Sequence, residues 1–383
     1  MCCLTPCLLR TRLLLSVLFC LTCACPTADP VPADDDASQD DDASADDDSS
    51  GGDDDTAAGV LRIFFASNLQ GEGVCHRDAL SGCDLYSVAF DQDSNAVSDL
   101  QRLTETADVA ELFPSVSSDG CWVAHEQRGD DSVPHVLHVP SGTTAALDTE
   151  GRYPDWSPDS TRLAYQRVDP KHLFLAEVTA DCTSGLFQVD GVEQLTSSEQ
   201  GILDAGDPDF FPDNERVSFN FNVDAQSYSQ VGLLHLDSKE FDVLTAAEGW
   251  GHTFVLEDGT TVGMGNSQSS GLGLVRFDGQ GWSEPADLVP LVAEDYAAID
   301  PRFEGCFPTT LSFATWFGSS GTRVVYSVHC YRDDEAQFSR LFLATVSEDS
   351  GAVDLLDLTG PIEALAGVSD KDVYTAAVIE EGG

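Results

Sequence analysis

The chain has 383 residues, with 18 Lys and Arg against 67 Asp and Glu, for a formal charge of −49 at pH 7. So acidic a chain is a poor partner for nucleic acid or anionic lipid head groups, which select basic surfaces. It suits cationic partners, or simple colloidal solubility. Residues 1–24 hold two bases, and residues 25–58 hold 13 acids and no base. The remainder still carries 54 acids against 16 bases, or −38.

The first 25 residues read as a targeting segment. Arg10 and Arg12 form a basic start, and the apolar run from Leu13 to Leu21 is too short to span a bilayer. Thr22-Cys23-Ala24-Cys25 resembles a bacterial lipobox, with small Ala24 before the cysteine that would carry the lipid. Thr22 stands where that motif usually has Leu. Cleavage as an ordinary secretory signal is the alternative. The expectation is lipidation at Cys25 and attachment to the membrane through that lipid alone. Pro26 gives no clear sign of which side of the membrane the protein faces.

Residues 26–58 hold four Asp triplets, at 34–36, 40–42, 46–48 and 53–55, spaced by Ala, Ser and Gly. Like charge with nothing to bury predicts an extended, disordered tether. Its reach is at most on the order of 110 Å. Calcium binding is the weaker reading, because triplets in a floppy chain lack preset geometry.

From about residue 60 onward, apolar runs of four to eight residues alternate with Gly, Asp, Ser and Asn turns. This is an all-β pattern, with no amphipathic helix beyond about one turn. Three stretches repeat: Phe113-Pro114-Ser115-Val116-Ser117-Ser118-Asp119-Gly120, Tyr153-Pro154-Asp155-Trp156-Ser157-Pro158-Asp159-Ser160 and Asp207-Pro208-Asp209-Phe210-Phe211-Pro212-Asp213-Asn214. Each precedes a short apolar strand. A unit recurring at this spacing predicts a radial β array. The pattern resembles the WD40-like (PD40) repeats of TolB-type propellers, best over 151–198 and strongly over about half of 60–383. The resemblance implies a six-bladed β-propeller, with seven blades as the alternative. In it, the residue before the motif Ser packs between blades and the Asp makes the turn between the first two strands. TolB itself pairs its propeller with a separate α/β domain, whereas here the tether runs straight into the first blade, so its partners do not transfer.

On that repeat the blades fall at 60–104, 112–148, 151–198, 204–246, 250–291 and 295–360. The first lacks its leading motif strand. The tail, from Ala366 through Val378, reads like two further strands that return to complete blade one and close the ring, one strand more than needed. In each four-stranded meander the b–c and d–a loops share one face, and the a–b and c–d loops share the other. Six cysteines lie in the body. Pairing that respects the faces is Cys75–Cys83, Cys121–Cys182 and Cys306–Cys330, as suits an exported chain.

No catalytic constellation stands out. The nucleophile elbow G-x-S-x-G is absent, the nearest run being Gly318-Ser319-Ser320-Gly321, expected as an a–b turn. The eight histidines are scattered, no C-x-x-C occurs among the six body cysteines, and Asp91-Gln92-Asp93-Ser94-Asn95 lacks the Gly and Glu of a calcium loop. No cofactor, metal or catalytic residue is therefore assigned. Loops at Gln70–Gly82, Glu304–Ser312 and Tyr331–Glu335 lengthen the b–c/d–a face, and they place Arg77, Arg332 and Asp334 on an expected binding face. The function expected is a monomeric, non-catalytic envelope scaffold that binds an envelope protein or other envelope component there. The alternatives are a propeller hydrolase or lyase using channel carboxylates from different blades, or a small-ligand or glycan binder. For the last, Trp250, Trp282 and Trp316 are the candidate aromatics.

Overall fold

Alternating strands and Asp-led turns fold as six four-stranded antiparallel sheets. The computed structural model describes residues 59–380, apart from 72–74, 76–78, 80, 225–228, 246–248, 267–271, 290–291, 319–320, 333–334 and 348–351. At 266, 289, 310–318, 321–322 and 335–336 it describes backbone alone. Blade one holds β1 (Val60–Ser67), β2 (Asp84–Asp91) and β3 (Ala96–Arg102). Blade two holds β4 (Ala110–Val116), β5 (Trp122–Arg128), β6 (Ser132–His138) and β7 (Thr143–Ala146). Blade three holds β8 (Arg152–Trp156), β9 (Arg162–Gln166), β10 (Leu173–Asp181) and β11 (Leu186–Gln194). Blade four holds β12 (Asp204–Phe210), β13 (Arg216–Asn222), β14 (Gln230–His235) and β15 (Phe241–Val243). Blade five holds β16 (Trp250–Val255), β17 (Thr261–Asn266), β18 (Leu272–Arg276) and β19 (Ala286–Val289). Blade six holds β20 (Phe307–Gly318), β21 (Gly321–Arg332), β22 (Glu335–Val346) and β23 (Val353–Asp357). The last strand, β24 (Val373–Glu380), pairs antiparallel with β1 and is the innermost strand of blade one.

The ring is closed. The innermost strands β24, β4, β8, β12, β16 and β20 each touch the next, and β20 touches β24. Closure leaves only the outermost strand of each blade as an edge. The core is correspondingly divided into six apolar clusters, one between each pair of neighbouring blades. Trp156 and Phe210, the aromatics of the repeat, lie in two of them, 4% and 5% exposed. The motif Asp builds each a–b turn. Asp159 Oδ1 accepts from Thr161 N at 3.1 Å and from Ser157 Oγ at 2.7 Å. Asp119, Asp213 and Asp258 accept backbone N–H groups in the same way. The residue after each Asp, or the next one on, takes positive φ: Gly120, Ser160, Asn214 and Gly259. Gly and Asn tolerate this at least cost, and Ser160 takes it against the usual preference.

Two expectations change. The tail supplies one strand, not two. Residues Thr359–Ala366 form a helix, stopped by Gly367 at φ 69°. Its first N–H groups, those of Thr359 and Gly360, are held by the Asp357 carboxylate at 2.9 and 3.2 Å, and Ile362 is buried beneath it. Pro361 sits in the first turn, where a proline removes no helical hydrogen bond. The spare strand and the seventh blade therefore disappear. Likewise, the lengthened loop before blade six is not Glu304–Ser312, because β20 begins at Phe307. The insertion lies earlier and contains a second short helix, Ala293–Ile299, which buries Tyr296.

Asp372 fixes the closing strand. Its carboxylate accepts Ser339 N at 2.9 Å from blade six, and Cys75 N at 2.9 Å and Asn68 Nδ2 at 3.2 Å from blade one. Ser67 Oγ donates to the Asp372 carbonyl. Asp372→Ala would strand buried N–H groups in two blades. A loss of about 3 kcal/mol is expected, read as a fall of roughly 6 °C in melting temperature. An unchanged Tm would contradict this role.

Candidate functional site

The inner strands carry one shared kink. Phe113, Tyr153, Asp207, His252 and Thr375 have φ between 46° and 55°. At each, the pairing with the next strand skips a residue. Bulges of this kind re-aim the residues that follow. Ser115, Asp155 and Asp209, two positions on, line the central channel. They also tie blade to blade. Ser115 Oγ accepts Trp156 N at 3.0 Å, Asp155 Oδ2 accepts Phe210 N at 2.9 Å, and Asp209 Oδ1 accepts Val255 N at 3.1 Å. Ser115 Oγ donates to Asp155 Oδ1 at 2.8 Å.

Asp155 and Asp209 are two channel carboxylates from neighbouring blades. Burial pushes the Asp155 carboxyl up to about 6, against the pull of its hydrogen bonds from Phe210 N, Ser115 and Trp156 N. Burial raises Asp209 well above the usual range, and the charge of Asp155 raises it further. Like charges this close resist joint ionisation. Because both Asp155 oxygens are committed to Ser115 and Phe210, its first role is to hold the inner ring in register. The sequence signal was present: two repeats read Pro-Asp where the first reads Pro-Ser.

Above the pair, on the b–c/d–a face, the channel opens into a cup of about 290 Å³ between blades three, four and five. Its wall includes Arg152, Lys171, Asn222 and Trp250. His252 Nδ1 lies 3.0 Å from Asp207 Oδ2, and Gln166 Nε2 donates to Asp204 Oδ1 at 2.9 Å. These polar side chains converge because the starts of β8, β12 and β16 and the ends of β9 and β13 meet at the mouth.

The residues singled out from the sequence distribute unevenly. Cys75–Cys83, Cys121–Cys182 and Cys306–Cys330 are bonded, with Cα separations of 5.3, 5.6 and 5.2 Å. Arg332 is exposed, yet its Nη2 donates to the carbonyls of Arg302 at 2.7 Å and Glu304 at 2.9 Å, holding the turn before β20. Arg77, Asp334 and Cys25 lie outside the described residues, as does the side chain of Trp316. Trp282 packs on Phe211 and Phe277 at the blade four–five core, whereas Trp250 reaches the cup. Asp91 Oδ1 caps a c–d turn by accepting Asp93 N and Ser94 N.

No family model matches the chain, and no curated protein matches it in sequence. Solved structures do match its fold. TolB from Acinetobacter baumannii aligns with a TM-score of 0.53 at 14% identity over 84% of this chain. The chain spans 66% of that protein's length. A chain of the nidogen/laminin complex gives 0.53 at 8% identity, covering 85% of this chain and 100% of that one. Kuenenia stuttgartiensis hydrazine synthase gives 0.51 at 10% identity, covering 84% and 47%. At such identities the likeness shows fold: a six-bladed β-propeller with TolB proteins among its neighbours.

Raised carboxyl pKa values have a defined sign. A group whose folded pKa exceeds its unfolded one stabilises most at low pH, and that contribution is lost as pH rises through the folded value. For Asp155 the window runs from near 4 to above its folded value of about 6. Asp209→Asn removes the carboxyl that burial and the charge of Asp155 hold furthest above its usual range, and with it that group's loss of stability on ionising. The variant should lose less stability than wild type between pH 5 and pH 8, widening the difference in Tm by about 2 °C. Parallel Tm–pH curves would show that the pair is not coupled.

Proposed function

We propose that this chain is an exported, lipid-anchored propeller that acts as a non-catalytic binding scaffold in the cell envelope. It engages an envelope protein or other envelope component through the b–c/d–a face. The observation that carries the reading is the preformed polar cup at the channel mouth on that face. Preorganised concave sites lose little entropy on binding. Two disulfides, Cys75–Cys83 and Cys306–Cys330, brace loops of the same face, and three disulfides suit an oxidising compartment. The lipobox-like Thr22–Cys25 and the acidic tether that follows supply the attachment.

The hydrolase or lyase reading has one observation in its favour, the carboxyl pair Asp155–Asp209. Against it, the Asp155 oxygens already serve Ser115 and Phe210, which leaves them poorly placed to work on a substrate.

Cross-linked capture of the mature protein from envelopes of its own cell tests the scaffold role. Asp130 and Glu199 are exposed on loops of this face, outside the cup. Wild type should recover a stoichiometric partner, and Asp130→Lys/Glu199→Lys should lose most of it. Equal recovery by wild type and variant, or none by either, would overturn the assignment of this face.

A further inference from the structure

We infer that the channel-mouth cup is a saccharide site, taking the terminal one or two rings of a neutral glycan. The inference rests on the scaffold reading of the same face and names the chemistry that this face would recognise.

Space comes first. Gly251 stands, one residue before the kink, where blade three has Arg152. Among the described residues a Cβ on Gly251 would meet only Asn220 Nδ2 at 3.7 Å and Ser229 Cβ at 3.9 Å, both ordinary contacts, so the position has room toward the cup. At about 290 Å³ the cup lies at the small end of ligand pockets. That admits one or two pyranose-sized rings and not a folded domain.

The wall is next. Trp250 is half-buried, and its six-membered ring rests on the Gly273 backbone. A Cβ at Gly273 would fall 2.6 Å from both Cη2 and Cζ3. The indole is therefore fixed in place before any ligand arrives. A rigid aromatic plane beside polar groups suits the C–H face of a sugar ring, which is apolar on one side and ringed by hydroxyls.

The polar groups decide the class. Among the described residues Arg152 commits its Nε alone, to Ser132 Oγ at 3.2 Å with Glu126 Oε1 at 3.7 Å. Lys171 Nζ lies 3.4 Å from Asp204 Oδ2 and is 60% exposed. Asn222 Oδ1 is buried and has no partner among the described residues. Donors and acceptors thus share the lining, where the two cations Arg152 and Lys171 stand with two carboxylates, Asp204 and Asp207. An anion would meet those carboxylates, and a cation would meet Arg152 and Lys171. An apolar ligand would leave the polar groups unpaired, at a cost for each. A hydroxyl both donates and accepts, so hydroxyls spread around one ring can answer an acceptor such as Asn222 Oδ1 and a donor such as Arg152, both in the lining.

The test uses the purified full-length mature chain. The probes are N,N′-diacetylchitobiose, cellobiose, a sulfated disaccharide and a neutral tetrapeptide, each titrated by calorimetry and tryptophan fluorescence. A neutral disaccharide should bind and the sulfated one should not. Asn222→Ala should weaken binding about tenfold, the value of one buried hydrogen bond. Gly251→Leu fills the cup at a position without positive φ, and should abolish binding while Tm and near-UV dichroism stay native. No binding of either neutral disaccharide, binding undiminished in a folded Gly251→Leu, or preference for the tetrapeptide would each overturn the saccharide assignment. The two readings fail separately. Loss of envelope capture in the Asp130→Lys/Glu199→Lys rim variant, with no disaccharide binding to wild type, removes the saccharide and keeps the scaffold. Cup-dependent disaccharide binding with no captured partner does the reverse.

Discussion

The structure depends on one long-range contact, the pairing of the last strand with the first. β24 lies against β1 from Leu61↔Glu380 to Ser67↔Val373, joining residues about 300 apart in sequence. Closing so long a loop costs only logarithmically more than closing a short one. The return is large, because every apolar cluster lies between two blades. Two of the six clusters, those on either side of blade one, draw on β24. An open array would expose that apolar surface as well as two bare sheet edges. Asp372 gathers donors from blade six and from the Cys75 loop of blade one, so the latch is polar at one end and apolar along its length.

Closure also makes the channel, and the channel makes the candidate site. Once the innermost strands form a ring, a bulge at one repeated position turns the following side chain inward in blade after blade. Ser115, Asp155 and Asp209 then form a girdle in which each side chain accepts a backbone N–H of the next blade. The cup sits above that girdle, walled by three blades that pack on one another through the clusters between them. Its rigidity comes from the girdle below and from packing such as Trp250 on Gly273.

Features governed by local chemistry were legible in the sequence. The blade count and boundaries follow from Asp-led turns such as Asp159–Thr161 and from aromatics such as Trp156, because those interactions span a few residues. The 359–366 helix was less legible. Its start depends on Asp357 and its burial on Ile362, in a segment whose apolar spacing also suits a strand. Arg332 looked free in sequence, yet it serves two carbonyls 28 and 30 residues away. The cup was not legible as a unit, since Arg152, Asn222 and Trp250 come from three blades. Only the glycine at 251, one residue before the kink, hinted at an opening there.

Native-state hydrogen exchange read by mass spectrometry tests the closing strand most directly. If the ring is one cooperative unit latched by β24, peptides covering 373–380 and 60–67 should open with the same free energy as those covering the inner strands of blades three and four. Exchange of 373–380 at several kcal/mol below the others, with the remaining blades still protected, would show that the propeller stands without its closing strand.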